Sequence, residues 1–211
     1  MIRKFFVAAS LVTAMAGGAD AAPLFHSGDG GDILLTSGAV TVVTPHPAWG
    51  DVSDEAGLAA GTAEWISYAN TGQGGIIAPN AASRTIPDAT THFQRTFTGE
   101  GLFKFWILTD DTATVVLNGS TIFSAFLGQV DPCAPGGTGT PIGCVDADMG
   151  KFQTLLGPGT HTIDIYGFQT NFSVFGVQYA ATLDTVPEPV STVLLGLGLL
   201  GAGVAVRRRR S

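Results

Sequence analysis

Between its two ends the chain alternates short apolar runs with turn residues, and no stretch keeps a helical period for 12 positions. That is the pattern of strands rather than helices. The clearest strand covers 175–183, where Phe175, Val177, Tyr179, Ala181 and Leu183 alternate with Gly176, Gln178, Ala180 and Thr182. Residues 102–108 set Phe103, Phe105 and Ile107 on one side, with Leu102, Lys104, Trp106 and Leu108 on the other. Before them, 91–98 carries Phe93, Arg95 and Phe97 on one face or in a bulged register, then a Gly99-Glu100-Gly101 turn. Asp110-Asp111 marks a break. Residues 113–117 run into Asn118-Gly119, a strong hairpin signal, and 120–123 return. Gly157-Pro158-Gly159 predicts a second turn and 161–168 a strand with Ile163 and Ile165 inward. One or two early strands are expected in 33–43. The only window open to a helix is 56–69, where Glu64-Trp65-Ile66 equally begins a strand. The expected class is all-β, an antiparallel sandwich or barrel.

The ends follow other rules. Arg3 and Lys4 precede 12 apolar-rich residues, 5–16, and Ala19-Asp20-Ala21 supplies small residues for a signal peptidase. This predicts a signal peptide over 1–21, cut after Ala21 with Ala22 as the alternative, and hence export through the Sec machinery. At the other end stand Val186, Pro187, Glu188 and Pro189, then 17 apolar-rich residues, 190–206, and then Arg207, Arg208, Arg209 and Arg210. The prolines keep the Glu188 segment out of regular structure. A 17-residue helix is about 25 Å long, enough to cross a hydrocarbon core, and the arginines hold its end on the cytoplasmic side. Three segments result: signal peptide 1–21, exported domain 22–185 and tail 186–211.

Subtracting the ends changes the charge. The exported part keeps four Lys and Arg against 15 Asp and Glu, a formal charge of −11. This excludes nucleic acid as a partner, because phosphate binding needs a basic face. Cys133 and Cys144 are the only cysteines. In an exported chain an even count reads as a disulfide, and a metal or redox pair lacks both C-x-x-C spacing and a nearby histidine.

The tail closely resembles the PEP-CTERM sorting signal of exopolysaccharide-making Gram-negative bacteria. That resemblance implies cutting near Pro-Glu-Pro by an exosortase, a membrane-embedded transpeptidase. It also implies a membrane intermediate and a destination at the cell surface or in the extracellular matrix. The succession Phe93-x-Arg95-x-Phe97, Leu108-Thr109-Asp110-Asp111, Val115-Val116-Leu117-Asn118-Gly119 and Leu156-Gly157-Pro158-Gly159-x-His161-x-Ile163-x-Ile165 looks like the galactose-binding-like jelly roll. This resemblance implies a jelly-roll sandwich over roughly 63–183, with a cysteine-bearing insertion at 130–149 as the departure. Such domains include sugar binders and others that only pack.

Candidate chemistry is sparse. There is no G-x-S-x-G, no H-E-x-x-H, and His26, His46, His92 and His161 are scattered, so the chain is read as non-enzymatic. Structural calcium is a candidate through Asp29-Gly30-Gly31-Asp32, Asp51-x-x-Asp54-Glu55, Asp110-Asp111 or Asp146-x-Asp148. The plainer alternative is a solvated acidic surface, with Asp110 and Asp111 capping a turn. Trp49, between Pro47-Ala48 and Gly50-Asp51, is the candidate sugar platform, whereas Trp65 and Trp106 read as core. Asn118-Gly119-Ser120 and Asn171-Phe172-Ser173 match the glycosylation acceptor pattern by chance in such a chain. The expected function is a non-enzymatic module that contacts carbohydrate or matrix. The rival readings are a secreted polysaccharide hydrolase and a purely structural or adhesive subunit.

Overall fold

The computed structural model describes residues 23–36, 38–83, 85–125, 142–171 and 173–184. The expected signal peptide, the tail 186–211 and Cys133 lie outside them. The described chain is all-β and antiparallel: β1 Pro23–His26, β2 Ile33–Leu34, β3 Thr41–Val42, β4 Ile66–Ser67, β5 Thr91–Asp110, β6 Thr112–Leu117, β7 Ser120–Phe123, β8 Gly150–Phe168 and β9 Gly176–Asp184. The strand order is β3-β4-β9-β5-β8-β6-β7, with β1 also paired to β9 and β2 to β5. Single-turn 3₁₀ helices occur at Ile86–Asp88 and Asp146–Asp148. Among the described residues no helix is long and apolar enough to cross a membrane.

The frame is one ribbon. β5 and β8, 20 and 19 residues long, pair from Thr91↔Gly167 to Ile107↔Gly150. The glycine clusters read as reversals at 99–101 and 157–159 are a bulge within this ribbon. Gly99 pairs with Gly159 and Gly101 with Leu156, so two steps along β5 answer three along β8. Gly101 and Gly159 adopt φ of 135° and 145°, which side chains resist. The extra residue bends the strands without ending the ladder, because a reversal would strip 102–107 and 150–156 of their backbone partners.

Each half of the ribbon gains its own flank. Near 91–99 the neighbours are β2 and β6; near 102–110 the neighbour is β9. The bend closes both halves over one apolar interior. Phe93, Phe97, Phe103, Phe105 and Ile107 of β5 meet Ile163, Ile165, Val115, Val177 and Tyr179 there. Phe97 and Phe103, from either side of the bulge, stack with centroids 5.1 Å apart. The expected hairpin is present: Asn118 and Gly119 have φ of 50° and 78° and join β6 to β7.

No helix forms in 56–69. Gly57 and Gly61 at φ of 70° and 72° interrupt that window, and the strand reading of Glu64-Trp65-Ile66 holds in β4. This segment forms a second apolar cluster, in which Val43, Trp49, Val52, Ala63 and Trp65 cover Leu108 and Ala180. Strand β9 is therefore buried on both faces from Gly176 to Thr182. The described part of the cysteine-bearing insertion packs onto β5. Thr109 donates its N–H to Gly143 O at 2.8 Å, and Ile142 enters the core.

Phe105 lies at the middle of this interior and is fully buried. Phe105→Ala is expected to lower the unfolding free energy by about 3–5 kcal/mol, read from the urea midpoint at unchanged slope.

Candidate functional site

The segment Pro45-His46-Pro47-Ala48-Trp49 is a tight loop. Trp49 N–H donates to His46 O at 2.9 Å, and Ala48 N–H to His46 Nδ1 at 3.3 Å. The loop turns Trp49 inward, against the expected exposed platform. Its side chain is only 9% exposed and stacks on Trp65 at 4.2 Å and 28°. Trp49 Nε1 donates to Asp110 Oδ2 at 2.7 Å, and Trp65 Nε1 donates to Gly50 O at 3.1 Å. Both rings rest on Gly176, where a Cβ would lie 3.1 Å from each. The reading of Trp65 as core holds. The solvated-surface reading of Asp110 and Asp111 does not: both are buried, the first under Trp49. Asp111 Oδ2 accepts from Thr170 N and Oγ1 at 2.5 and 2.8 Å.

Above this pair lies a groove of about 480 Å³ whose polar lining includes His46, Asp51, Glu64 and Gln178. Two of these groups build the groove itself. Gln178 Oε1 accepts from Val52 N at 3.0 Å, and its Nε2 donates to Ala63 O at 2.7 Å and Asp51 Oδ1 at 3.3 Å. Asp51 also accepts from Ser53 N at 2.9 Å and Gly61 N at 2.6 Å. His46 and Glu64 complete the polar lining, and the Glu64 side chain lies against Gly28. His46 uses Nδ1 locally, and the half-buried Glu64 carboxylate has no hydrogen-bond partner among the described residues. Among the described residues no Lys or Arg lines the groove. Sequence reasoning singled out Trp49 but missed Glu64. The available signal was the Glu64-Trp65 pair, whose strand alternation sends neighbours to opposite faces.

The Asp29-Gly30-Gly31-Asp32 loop, an expected calcium candidate, holds an arginine instead. Arg95 occupies an inward position of β5 and is 8% exposed. It donates to both oxygens of Asp29 at 2.6 and 2.7 Å, lies 3.5 Å from Asp32 Oδ1, and sits 5.0 Å over the Phe25 ring. The buried Tyr179 donates its hydroxyl to Asp32, and Gly28 N–H adds a bond at 2.7 Å. Burial works against the Asp29 carboxylate, but Arg95 and the Gly31 and His26 N–H groups outweigh it and hold its pKa below the ordinary value. Burial dominates at Asp32 and pushes its pKa up; burial and Asp32 together push the Tyr179 phenol well up.

The remaining acids differ, and Asp148 Oδ2 is buried with no hydrogen-bond partner among the described residues. Asp146 Oδ1 accepts from Asp51 N at 2.9 Å, and Glu55 pairs with Lys151 at 2.9 Å. Among the described residues no three His, Cys, Asp or Glu side chains converge as a metal site. Each described basic residue has an acidic partner, Lys104 joining Asp184 at 2.8 Å. Of the histidines, His92 pairs with Asp164 at 2.8 Å, and His161 Nδ1 meets Asn118 Nδ2 at 3.0 Å. None bonds a Ser, Thr or Cys side chain among the described residues. His161 lies inside β8 and is buried; it does not open a strand. Cys144 is fully buried and is not a free thiol.

The Arg95 clamp makes a signed prediction. Asp29 has a depressed folded-state pKa, so its contribution is full above 3.8 and is lost as pH falls through the lower folded value. Asp32, with a raised value, contributes most below 3.8 and loses that contribution as pH rises through its folded value. Asp29→Asn is expected to cost about 2 kcal/mol at neutral pH and to flatten the acid limb of the stability profile, measured by urea unfolding from acid to neutral pH.

Comparison with known proteins agrees with the tail. No curated protein matches the chain. Among solved structures, a β-glucosidase from Kluyveromyces marxianus is 14% identical over 46% of this chain, with a TM-score of 0.33, and the chain spans only 11% of its length. A family 35 carbohydrate-binding module from Clostridium thermocellum is 9% identical over 77% of this chain and 98% of its own, at a TM-score of 0.32. CBM35 from Paenibacillus barcinonensis is 12% identical over 79% of this chain and 100% of its own, at 0.34. Residues 185–210 match the PEP-CTERM protein-sorting motif, so the chain carries that sorting signal over Val186, Pro187, Glu188, Pro189 and Arg207 to Arg210.

Proposed function

We propose that this chain is an exported surface or matrix protein whose tail an exosortase-type transpeptidase cuts at Pro187-Glu188-Pro189. The observation that carries the reading is the sorting motif at residues 185–210. Its physical logic is a pause: the apolar 190–206 stretch stops transfer, Arg207 to Arg210 fix orientation, and the Pro-Glu-Pro segment is offered extended outside the bilayer. Signal peptidase removes 1–21, and the jelly-roll domain 22–185 is then delivered.

The delivered domain acts, in this reading, as a non-enzymatic module that contacts neutral carbohydrate. Support comes from the groove over Trp49 and Trp65, where Pro45 and Pro47 give apolar walls and His46 and Glu64 offer polar atoms for hydroxyl groups. The lack of a basic residue among the described residues of the lining and the charge of −11 disfavour anionic polymers. Cys144 is assigned Cys133 as its partner, closing the insertion beside the groove-forming segment.

Three measurements test these statements. In a host with the sorting enzyme, wild-type protein is expected in the surface or released fraction at reduced size, and Glu188→Ala in the membrane at full size. Equal size and equal release of both would sink the processing claim. On neutral glycans, with and without added calcium, Glu64→Gln is expected to weaken retention about tenfold, the worth of one charge-assisted hydrogen bond. A blank array from a self-associating protein would favour the adhesive-subunit reading instead. Unreduced, denatured protein is expected to take up no thiol label and reduced protein two labels, one at each cysteine.

A further inference from the structure

We propose that, until the tail is cut, the end of the sandwich formed by Leu102, Leu155 and Asp184 rests on a zwitterionic lipid surface with Leu155 as its contact. This rests on the reading that residues 190–206 span the membrane. Strand β9 ends at Asp184, and only the five residues 185–189 separate it from the apolar stretch. Fully extended, five residues reach about 17 Å, and the polar headgroup layer on one side takes up about 5–8 Å of that. The end of β9 thus stands at the membrane, and the sheet register says what stands beside it.

Asp184 pairs with Leu102 on β5, and Leu102 pairs with Leu155 on β8. Leu155 therefore lies two strand spacings from Asp184, about 10 Å. Phe103 faces the core, so Leu102 and Leu155 share the outward face, and Leu155 is 70% exposed. β1 comes to the same end, since Pro23 pairs with Thr182. The expected signal-peptidase site at Ala21 adjoins it, so the chain enters and leaves the domain where Leu155 projects. Charge selects the lipid: Lys104 is neutralised by Asp184, and the domain's net charge of −11 is repelled by anionic headgroups.

One leucine holds no free domain on a bilayer. A short tether changes this by giving the contact an effective concentration in the millimolar range. The contact is then populated while the tail is intact and lost on cutting, so processing and release from the membrane surface are one event.

Ile77 provides the control, because it too is 70% exposed. Its neighbour Ala78 bonds Ser173 O, at the end where β9 begins with Gly176. That is about 26 Å along the strand from Asp184. The experiment uses the full chain in phosphatidylcholine vesicles with and without brominated acyl chains, comparing Leu155→Trp with Ile77→Trp above the wild-type tryptophan background. The expected result is a blue shift and at least twofold stronger quenching for Leu155→Trp only, abolished by inserting about twenty Gly/Ser residues after Asp184. Protein that floats with the vesicles but quenches equally at both positions overturns the contact and leaves the membrane-span reading intact. Protein that does not float overturns both.

Discussion

Strand β9 has to be covered on both faces at once, and most of the architecture answers that demand. Its odd-numbered side chains, Val177, Tyr179 and Ala181, enter the interior shared with β5 and β8. Its even-numbered face has Ala180 under Trp49 and Trp65, while Gln178 bonds Val52, Ala63 and Asp51. A strand paired on both sides and buried on both faces leaves no route for water to its backbone, so local opening there approaches global unfolding. The loop from Val43 to Trp65 is consequently a structural layer without regular secondary structure. It holds itself in place with hydrogen bonds from Asp51 and Gln178 where a helix would have used its own backbone. The groove is a by-product of this covering: where the loop folds back over the tryptophans, His46 and Glu64 line it.

The sequence was legible where local chemistry and tertiary demand agreed. The Asn118-Gly119 hairpin needs two left-handed residues and has them, and the 175–183 alternation reports the interior face of β9 correctly. It was misleading where one local signal serves two geometries. Glycines at 99, 101, 157 and 159 suit a reversal and a bulge equally, and only the facing of the two clusters across β5 and β8 selects the bulge. Trp49 shows the same limit, since Pro and Gly neighbours place a residue in a loop without saying whether the loop covers a sheet. Arg95 was placed on the face of Phe93 and Phe97, but its inward position becomes tolerable only through Asp29 and Asp32, more than 60 residues earlier. No window of the sequence contains that partnership.

Acidity is organised differently from its appearance in the composition. Fifteen carboxylates against four basic residues suggest a domain in need of cations. The described carboxylates are instead satisfied mainly by donors the fold already carries, including backbone N–H groups at Gly28, Gly31, Asp51, Ser53, Gly61 and Thr170 and the indole of Trp49. The bonds from Gly28, Gly31, Asp51, Ser53 and Gly61 lie in segments flanking strands only two residues long, where backbone pairing is thin. The acids are therefore the fasteners of the loop layer, and the described basic residues, Arg95, Lys104 and Lys151, are their partners. Each is paired with an acid, so none of the three is left to meet an anionic partner.

The connection between the folded domain and its tail follows from the same strand. Because β9 sits between β4 and β5 and ends at Asp184, the sorting motif begins immediately after one of the best-protected segments of the molecule. A protease needs an extended, unpaired substrate, and the ladder of β9 denies it one on the N-terminal side of residue 185. Beyond it, Pro187 and Pro189 have no backbone N–H to donate to a ladder. The boundary between what can be cut and what cannot is thus set within a few residues, by backbone pairing on one side and by proline on the other. A cut in that interval breaks no pair of β9, whose ladder ends at Asp184. Had the last strand been an edge strand, the same cut would expose a frayed terminus and an unpaired ladder beside it. Placing the final strand in the interior of the sheet lets a chain be severed close to its fold and remain folded.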